Sequence, residues 1–338
     1  MNGNLKLIII LFICSLTITG CDKAGNKVRL GYTGRVAELP AFAALKKNIF
    51  RDEGLEIELV QTDFEGFKKG IADGTLDGGI ADYKIFKALD DGLPAKISGG
   101  IQGGCIKIIV KKDSRIRSIG ELKGKTVGVE EIGGGPMIVS SIILSSNNID
   151  EVNDISWKAV PWSVREDALE NNSADAMVVL EEASDCSEMR GKEKDIVQDD
   201  GNFRTIFSIS ASSNIIYTRV LRHFYQTFIC VSDNLVKNNP KKAAALTRAL
   251  LNGARWVSDN SDEALTMGLE GRYIHGDFED LKEEIAYLMW NPGIRIVQDH
   301  IKTYLREQKK LHILNPSSNA DELFRKSFIK LIPDLTGR

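Results

Sequence analysis

Histidine and cysteine are scarce in this chain, with 4 and 5 copies among 338 residues. The sequence contains no CxxC or CxxH motif, which argues against a structural zinc site. The four histidines are His223, His275, His300 and His312. None of them lies where a predicted strand gives way to a helix, and the sequence shows no nucleophile elbow, dyad or triad. We therefore expect no catalytic residue, no metal and no cofactor, and an enzyme is disfavoured.

An excess of basic charge is also missing. The chain has 44 Lys and Arg against 47 Asp and Glu, a formal net charge of −3, and no basic tail. Phosphate backbones are bound by clustered Lys and Arg, so nucleic acid is not expected as a partner. Hydrophobic residues make up 43% and charged residues 27%, which is ordinary for a globular protein. The length favours two lobes over one core.

Only one long apolar run stands apart from the rest of the chain, at Leu7–Ile18. It is shorter than the roughly 20 residues that span a membrane, but it has the length of a signal-peptide core. The run ends in Ile18-Thr19-Gly20-Cys21, which resembles the lipobox of bacterial lipoproteins. That resemblance implies a signal peptide over 1–21, lipidation of Cys21 and a membrane-anchored protein outside the cytoplasm. The alternative is an ordinary signal peptide or anchor helix with a chance cysteine.

Three cysteines would remain in the mature chain, since Cys14 leaves with the signal and Cys21 carries lipid. They are Cys105, Cys186 and Cys230, an odd number at wide spacing. We expect them to be small buried hydrophobic residues rather than reactive or paired ones.

From Val28 onward, strand patterns alternate with helix patterns. Strands are expected at 28–32, 55–60, 77–82, 95–101, 106–110, 125–129, 155–160, 175–180 and 224–231. Helices are expected at 39–50, 83–89, 119–122, 137–144 and 164–170, and Asp63 could N-cap a further helix with Phe64, Phe67 and Ile71 on its apolar face. Nearly all of the chain after 231 is expected to be helical, at 240–257, 261–269, 278–289, 294–309 and 320–329. Residues 171–223 are the least regular stretch. Repeated βαβ units imply parallel sheets with helices on both faces.

In such sheets, ligands collect where strands end and helices begin. Two of these junctions belong to the first half of the chain and are candidate binding loops. After the first strand, Gly34 permits close approach of a ligand, Arg35 could pair with an anion, and Glu38 closes the loop. After the third strand, Asp82 and Tyr83 could contact a ligand. The alternatives are a solvated Arg35 and a Tyr83 that merely packs on its helix.

Three further junctions carry glycine or acidic pairs. Gly103 and Gly104 predict a tight turn near a cleft, or a plain turn. Gly133, Gly134 and Gly135 precede a helix that starts with proline and could form an anion-binding nest, or a bare helix start. Glu181 and Glu182 follow a buried strand and could be acid–base groups, hydrogen-bond acceptors or contacts between lobes. Trp162 is either an apolar wall of the site or core.

The order of these features resembles the solute-binding proteins of ABC importers, in the nitrate/sulfonate/taurine-binding group. The most specific stretch runs from Ile109 to Val129 and includes the line Glu121-Leu122-Lys123-Gly124-Lys125-Thr126-Val127-Gly128-Val129. Asp77–Ala81 and Asn239–Ala243 match earlier and later parts of the family pattern. The likeness covers about 28–310, nearly all of the mature chain.

This resemblance implies an α/β, two-lobed periplasmic-binding-protein type II fold with mixed, mostly parallel sheets and a ligand cleft between the lobes. Lobe one would comprise 28–112 plus 226–338 and lobe two 113–225, with crossings near 110–116 and 222–230. The implied partners are a small-molecule ligand, an ABC permease and its ATPase subunit. The lipid anchor would hold a monomer at the extracytoplasmic face of the cell membrane.

The ligand is less clear than the fold. Family frequency favours an organic sulfonate or another anion such as nitrate. The acidic pair Glu181-Glu182 stands where the family has an acidic residue followed by proline, and it would repel an anion. A neutral, zwitterionic or cationic ligand, such as a pyrimidine or an amine, is the other possibility. The alternative functions are an enzyme of cofactor biosynthesis on the same fold, in pyrimidine or menaquinone synthesis, or a receptor domain that presents a small molecule to a sensor.

Overall fold

The computed structural model describes residues 27–184, 199–212, 221 and 224–333. The predicted signal peptide with Cys21, and also Cys186, lie outside these residues. Within them, no helix combines the length and the apolar character that spanning a membrane requires.

The strands and helices follow the predicted alternation. The strands are β1 Lys27–Tyr32, β2 Glu56–Gln61, β3 Gly78–Asp82, β4 Ala95–Gly104, β5 Ile106–Lys111, β6 Lys125–Val129, β7 Ile155–Ala159, β8 Ala176–Leu180, β9 Asp199–Asp200, β10 Phe203–Ser208, β11 Phe224–Ser232 and β12 Met289–Gly293. The helices are α1 Leu39–Lys46, α2 Ile49–Asp52, α3 Phe64–Ala72, α4 Ile85–Asp90, α5 Gly135–Ser146, α6 Arg165–Glu170, α7 Asp233–Asn238, α8 Pro240–Asp259, α9 Ser261–Glu270, α10 Phe278–Ala286, α11 Arg295–Lys310 and α12 Ala320–Ser327.

The strands form two six-stranded sheets, one in each lobe. Their orders are β12-β4-β11-β3-β1-β2 and β7-β6-β8-β5-β10-β9. In the first sheet β1 runs parallel to β2 and β3, and in the second β6 runs parallel to β7 and β8. The remaining pairs among the described strands are antiparallel. The sheets are mixed, as predicted, but parallel pairing is confined to one half of each, less than the βαβ pattern suggests.

Sheet membership places the first crossing between lobes earlier than the sequence pattern does. β5 pairs with β8 and β10 of the second sheet, although the predicted lobe one extends to residue 112. Cys105 alone separates β4 from β5. We therefore propose that the chain leaves lobe one at Cys105 and re-enters it at β11, near the predicted second crossing.

Local sequence explains where several helices begin and end. The carboxylate of Asp63 accepts a hydrogen bond from the Gly66 amide at 2.7 Å and caps α3, as expected. The predicted helix 39–50 is broken instead into α1 and α2, because Asn48 adopts a left-handed conformation with φ of 59°. Met289, expected at the end of a helix, begins strand β12 on the edge of the first sheet. The irregular stretch 171–223 contains β10, which pairs with β5.

The two cysteines of the described region differ from each other. Both Cys105 and Cys230 are fully buried. Cys230 is free, and burial raises the pKa of its thiol to about 12. Cys105 is disulfide-bonded, so the expectation of an unpaired buried cysteine is wrong there.

Helix α11 contacts both lobes. Its buried Gln308 donates a hydrogen bond from Nε2 to the Gly133 carbonyl oxygen at 3.1 Å. Ser141 Oγ, on α5 of the second lobe, donates to Glu307 Oε2 at 3.1 Å, and Lys310 forms an ion pair with the buried Glu151. The same helix packs Tyr304 against Phe86 of the first lobe, with ring centroids 5.2 Å apart.

Helix α8 lies against α1 so closely that only glycine fits at the crossing. A Cβ on Gly253 would overlap the carbonyl oxygen of Pro40. Glycine in the middle of a helix ordinarily costs about 0.5–1 kcal/mol relative to alanine. Its presence in the middle of α8 therefore reflects the contact with α1 and not helix propensity.

We predict that Gly253→Ala lowers the free energy of unfolding by about 1–3 kcal/mol, because overpacking outweighs the gain in helix propensity. Chemical denaturation of the two proteins measures the change. Gly120→Ala serves as a control, since the nearest atom to its added Cβ would be Ser118 Oγ at 3.9 Å. A stabilised Gly253→Ala variant would contradict the packing account.

Candidate ligand-binding site

The carboxyl ends of six parallel strands meet at one cavity. Strands β1, β2 and β3 end there from the first lobe, and β6, β7 and β8 from the second, which is the edge where α/β proteins bind ligands. The cavity has a volume of about 920 Å³. Its lining comprises Thr33, Arg35, Ala37, Thr62, Asp63, Phe64, Asp82, Tyr83, Lys84, Gln102, Glu130, Glu131, Gly134, Pro136, Trp162, Ser163, Arg165, Leu180, Gln226, Thr227, Asp280, Glu283, Glu284, Tyr287 and Leu288.

Five of the predicted site residues line this cavity: Arg35, Asp82, Tyr83, Gly134 and Trp162. They come from both halves of the prediction, since the first three belong to lobe one and the last two to lobe two. The predicted junctions therefore converge in space. Which of these residues contacts a bound ligand stays a prediction.

The predicted Glu38 has a different position. Its side chain is only 1% exposed and does not line the cavity. Glu38 Oε2 accepts hydrogen bonds from the amides of Thr33, Gly34 and Arg35 at 3.0, 2.8 and 2.9 Å. Gly34, with φ of 93°, is the bend that turns these amides toward one carboxylate. Both residues shape the loop that presents Arg35 to the cavity.

The acidic pair after β8 also lies off the cavity lining. Glu181 is 2% exposed, and its Oε1 accepts from Ser208 Oγ at 3.0 Å and from the Ile209 amide at 2.9 Å. Burial raises the pKa of Glu181, and these hydrogen bonds partly oppose that shift. Glu182 is exposed. The structure therefore gives Glu181 the role of holding the chain beyond β10, and the expected role of the pair at the ligand finds no support.

Of the predicted glycines, Gly134 alone is among the residues that line the cavity. Gly103 and Gly104 are buried within β4, opposite Tyr225 and Phe224 of β11, and form no turn. Gly133 has a positive φ of 79°, a conformation that favours glycine. A Cβ on Gly135 would lie only 2.8 Å from Tyr304 Oη, so a larger residue would not fit there. Gly134 is different because a Cβ there would meet Tyr83 Cζ of the other lobe at 3.0 Å.

The lobes touch each other beside the cavity. Lys84 Nζ of lobe one lies 2.8 Å from Glu131 Oε1 of lobe two. The rings of Trp162 and Tyr287 meet edge to face with centroids 5.0 Å apart. The hydroxyl of Tyr83 is buried and has no hydrogen-bond partner in the described part of the chain. The polar and aromatic residues that form these contacts also line the cavity.

The cavity carries an excess of negative charge. Seven carboxylates line it, against Arg35, Lys84 and Arg165. Each of these cations already has an acidic neighbour: Arg35 Nη1 lies 2.7 Å from Asp82 Oδ2, Lys84 pairs with Glu131, and Arg165 Nη2 lies 3.7 Å from a Glu166 oxygen. The cavity therefore lacks an uncommitted cation for a sulfonate or nitrate.

Desolvation acts on the carboxylates of the cavity. Burial raises the pKa of Glu130 and Glu131, and the negative charge of Asp82 adds to the shift at Glu131. Burial also raises the pKa of Glu284, and the charge of Glu130 adds to that shift. Glu284 lies on α10 of lobe one and Glu130 follows β6 of lobe two, so their mutual repulsion acts between the lobes.

Several lining residues were missed from the sequence. Thr62–Phe64 end the second strand and carry the same junction signal as the predicted loops, so they could have been found. Glu130 directly precedes the predicted glycine loop. Glu283 on α10 and Tyr287 directly after it could not be predicted as site residues. Acidic residues on a helix are typical of a face exposed to solvent.

Comparison with known proteins identifies the family. The model of the NMT1/THI5 like family matches residues 37–264, so the chain belongs to that family. A search of the curated proteins found no match.

Solved structures show the same fold. A periplasmic sulfonate-binding protein, SsuA, from Methylobacillus flagellatus matches with a TM-score of 0.64 and 18% identity over 90% of this chain and 91% of its own. The aliphatic sulphonate binding protein SsuA of Escherichia coli matches with 0.63 and 12% identity, over 93% and 94%. The nitrate-binding protein NrtA of Synechocystis matches with 0.59 and 14% identity, over 90% and 86%. The two-lobed periplasmic-binding-protein fold implied by the sequence resemblance is therefore confirmed.

We predict that Glu38→Ala lowers the free energy of unfolding by about 2 kcal/mol or more, because three loop amides lose their shared acceptor. Glu38→Gln keeps one carbonyl oxygen in that position and should lose clearly less. Denaturant unfolding of both variants separates the acceptor from its charge. Equal loss in the two variants would show that the negative charge, and not hydrogen bonding, holds the loop.

Proposed function

We propose that this protein is the extracytoplasmic solute-binding component of an ABC importer. A small polar solute would be held between the lobes and passed to a membrane permease driven by an ATPase subunit. The observation that carries the proposal is the cavity bounded by the carboxyl ends of six strands, three from each lobe. Membership of the family and the fold of the sulfonate- and nitrate-binding neighbours support it.

The contacts between the lobes support a binding cycle based on closure. The ion pair of Lys84 with Glu131 and the ring contact of Trp162 with Tyr287 form only when the lobes meet. A solute that touches residues of both lobes stabilises that meeting, which is the hinge closure of two-lobed binding proteins. The volume of about 920 Å³ suits a small organic molecule.

The sequence expectation of an organic anion finds no support in the geometry. A sulfonate at Arg35 would have to displace Asp82 and approach the remaining carboxylates of the cavity. The proposal therefore keeps the binding role and drops the preference for an anion.

Biosynthetic members of the same family make an enzyme the second candidate. The cavity lining includes no histidine or cysteine among the described residues, and its basic side chains are engaged with carboxylates. No pairing of a nucleophile with a histidine base is therefore present in the described lining. We accordingly favour binding without chemistry.

To test the binding role, we would purify residues 22–338 without refolding and record native mass spectra and small-angle scattering with and without an extract of bacterial metabolites. We expect a retained solute of low mass and a smaller radius of gyration. Gly134→Val should lose both effects, because its side chain would strike Tyr83 across the cleft. Circular dichroism controls for its fold. Conversion of a solute to a new mass would instead support the enzyme, and the absence of any retained solute or compaction would contradict the proposal.

The membrane anchor is proposed from the sequence, since residue 21 lies outside the described region. Lipidation at Cys21 would tether a monomer on the outer face of the cytoplasmic membrane, near its permease. Cys21→Ala should abolish incorporation of radiolabelled palmitate in a bacterial host and release the protein from the membrane fraction. Cys14→Ala is the matched control and should be labelled normally. Labelling that persists in Cys21→Ala would contradict the anchor.

A further inference from the structure

Carboxylates without partners face the cavity from both lobes. Glu130 stands at the end of β6, while Asp280, Glu283 and Glu284 lie on α10. The Tyr287 amide donates to the backbone oxygen of Glu284 at 3.2 Å, but no hydrogen bond or ion pair joins the side-chain carboxylate of any of these four to another described residue. Because Glu130 and Glu284 repel each other, bringing the lobes together concentrates negative charge that the three basic side chains of the cavity offset only in part.

The basic groups of the cavity offset this charge only in part, although Lys84 attracts Glu130 and Arg35 attracts Glu284. Arg35 lies against Asp82, and Lys84 lies against Glu131. Arg165 stacks over the Trp162 ring at 3.9 Å and donates a hydrogen bond to the Trp162 carbonyl oxygen at 2.9 Å. A positive charge that enters with the ligand would therefore offset the repulsion between the carboxylates of the two lobes.

Aromatic rings stand beside the carboxylates. Tyr83, Trp162 and Tyr287 all line the cavity, and the last two come from different lobes. Aromatic faces attract organic cations through the ring quadrupole and also cover apolar ligand surface. A cavity of about 920 Å³ is far larger than a bare metal ion requires.

We propose that the solute is an organic cation, a substituted ammonium or amidinium group carried on an aromatic or apolar body. Its positive charge would lie between Glu130 and Glu284, and its body against Trp162 and Tyr287. This inference rests on the proposed solute-binding function and specifies the ligand class for the same cavity.

Three probes of similar size separate charge from shape: benzyltrimethylammonium, benzyl alcohol and benzenesulfonate. Isothermal titration calorimetry should show that the ammonium binds best and the sulfonate worst, with the preference shrinking at high ionic strength. Equal affinity, or preference for the sulfonate, would overturn the cation assignment and leave the binding function standing. Binding of none of the probes would overturn the cation assignment, while the binding function would still be decided by the retained solute and compaction described above.

Two single substitutions test where the positive charge of the ligand lies. Glu284→Gln and Glu130→Gln should each weaken benzyltrimethylammonium binding by about tenfold or more, the scale of a lost contact to a charged group. Glu270→Gln is the matched control, since Glu270 is an exposed residue at the end of α9 and does not line the cavity. Unchanged affinity in both cavity variants would overturn the proposed position of the cation.

A second measurement needs no tight ligand. Quenching of Trp162 fluorescence, obtained as the difference between the wild-type protein and Trp162→Phe, reports the sign of the potential in the cavity. With each quencher's constant divided by its value for free N-acetyltryptophanamide, caesium should quench Trp162 more than iodide does, and Glu284→Gln combined with Glu130→Gln should reduce that difference. Stronger quenching by iodide after this normalisation would overturn the charge assignment alone, because the measurement does not depend on whether a solute is carried.

Discussion

The pairing of β4 with β11 fixes where the two lobes meet. These are neighbouring antiparallel strands, and the chain leaves the first sheet from one and returns to it through the other. Glycines in β4 permit this close pairing, since a Cβ on Gly100 would come within 2.5 Å of the Tyr225 ring. With both connections on one side, the carboxyl ends of the parallel strands in each sheet face one another, and the cavity forms between them.

Much of the fold could be predicted because local signals and family likeness agreed. The strand–helix alternation, the cap at Asp63 and the proline that begins α8 all follow from short-range chemistry. The departures arise where tertiary contacts decide. Asn48 breaks a helix by adopting a left-handed conformation, and Met289 joins a sheet edge that only the folded chain provides. The disulfide at Cys105 gave no local sign.

The site was predicted in part for the same reason. A strand end identifies a residue as near the cleft, but it does not say whether the side chain points into the cavity or back into its own loop. Arg35 and Glu38 share one loop, yet only Arg35 lines the cavity, because the loop amides converge on Glu38. The negative charge of the cavity could not be predicted from the loops alone. Part of it comes from α10, which lies more than two hundred residues after Gly34 in the chain. Contributions from distant elements are visible only once the sheets are assembled.

The contacts of α11 with both lobes restrict how the protein can open. The buried hydrogen bond from Gln308 to Gly133 and the ion pair of Lys310 with Glu151 would leave buried polar groups unsatisfied if they parted. The ring contact of Trp162 with Tyr287 carries no such penalty in itself. If the lobes separate, we therefore expect the contacts of α11 to persist longer than the ring contact of Trp162 with Tyr287. Such a motion would open the cavity beside Trp162 and Tyr287, and the contacts of α11 would limit the width of that opening.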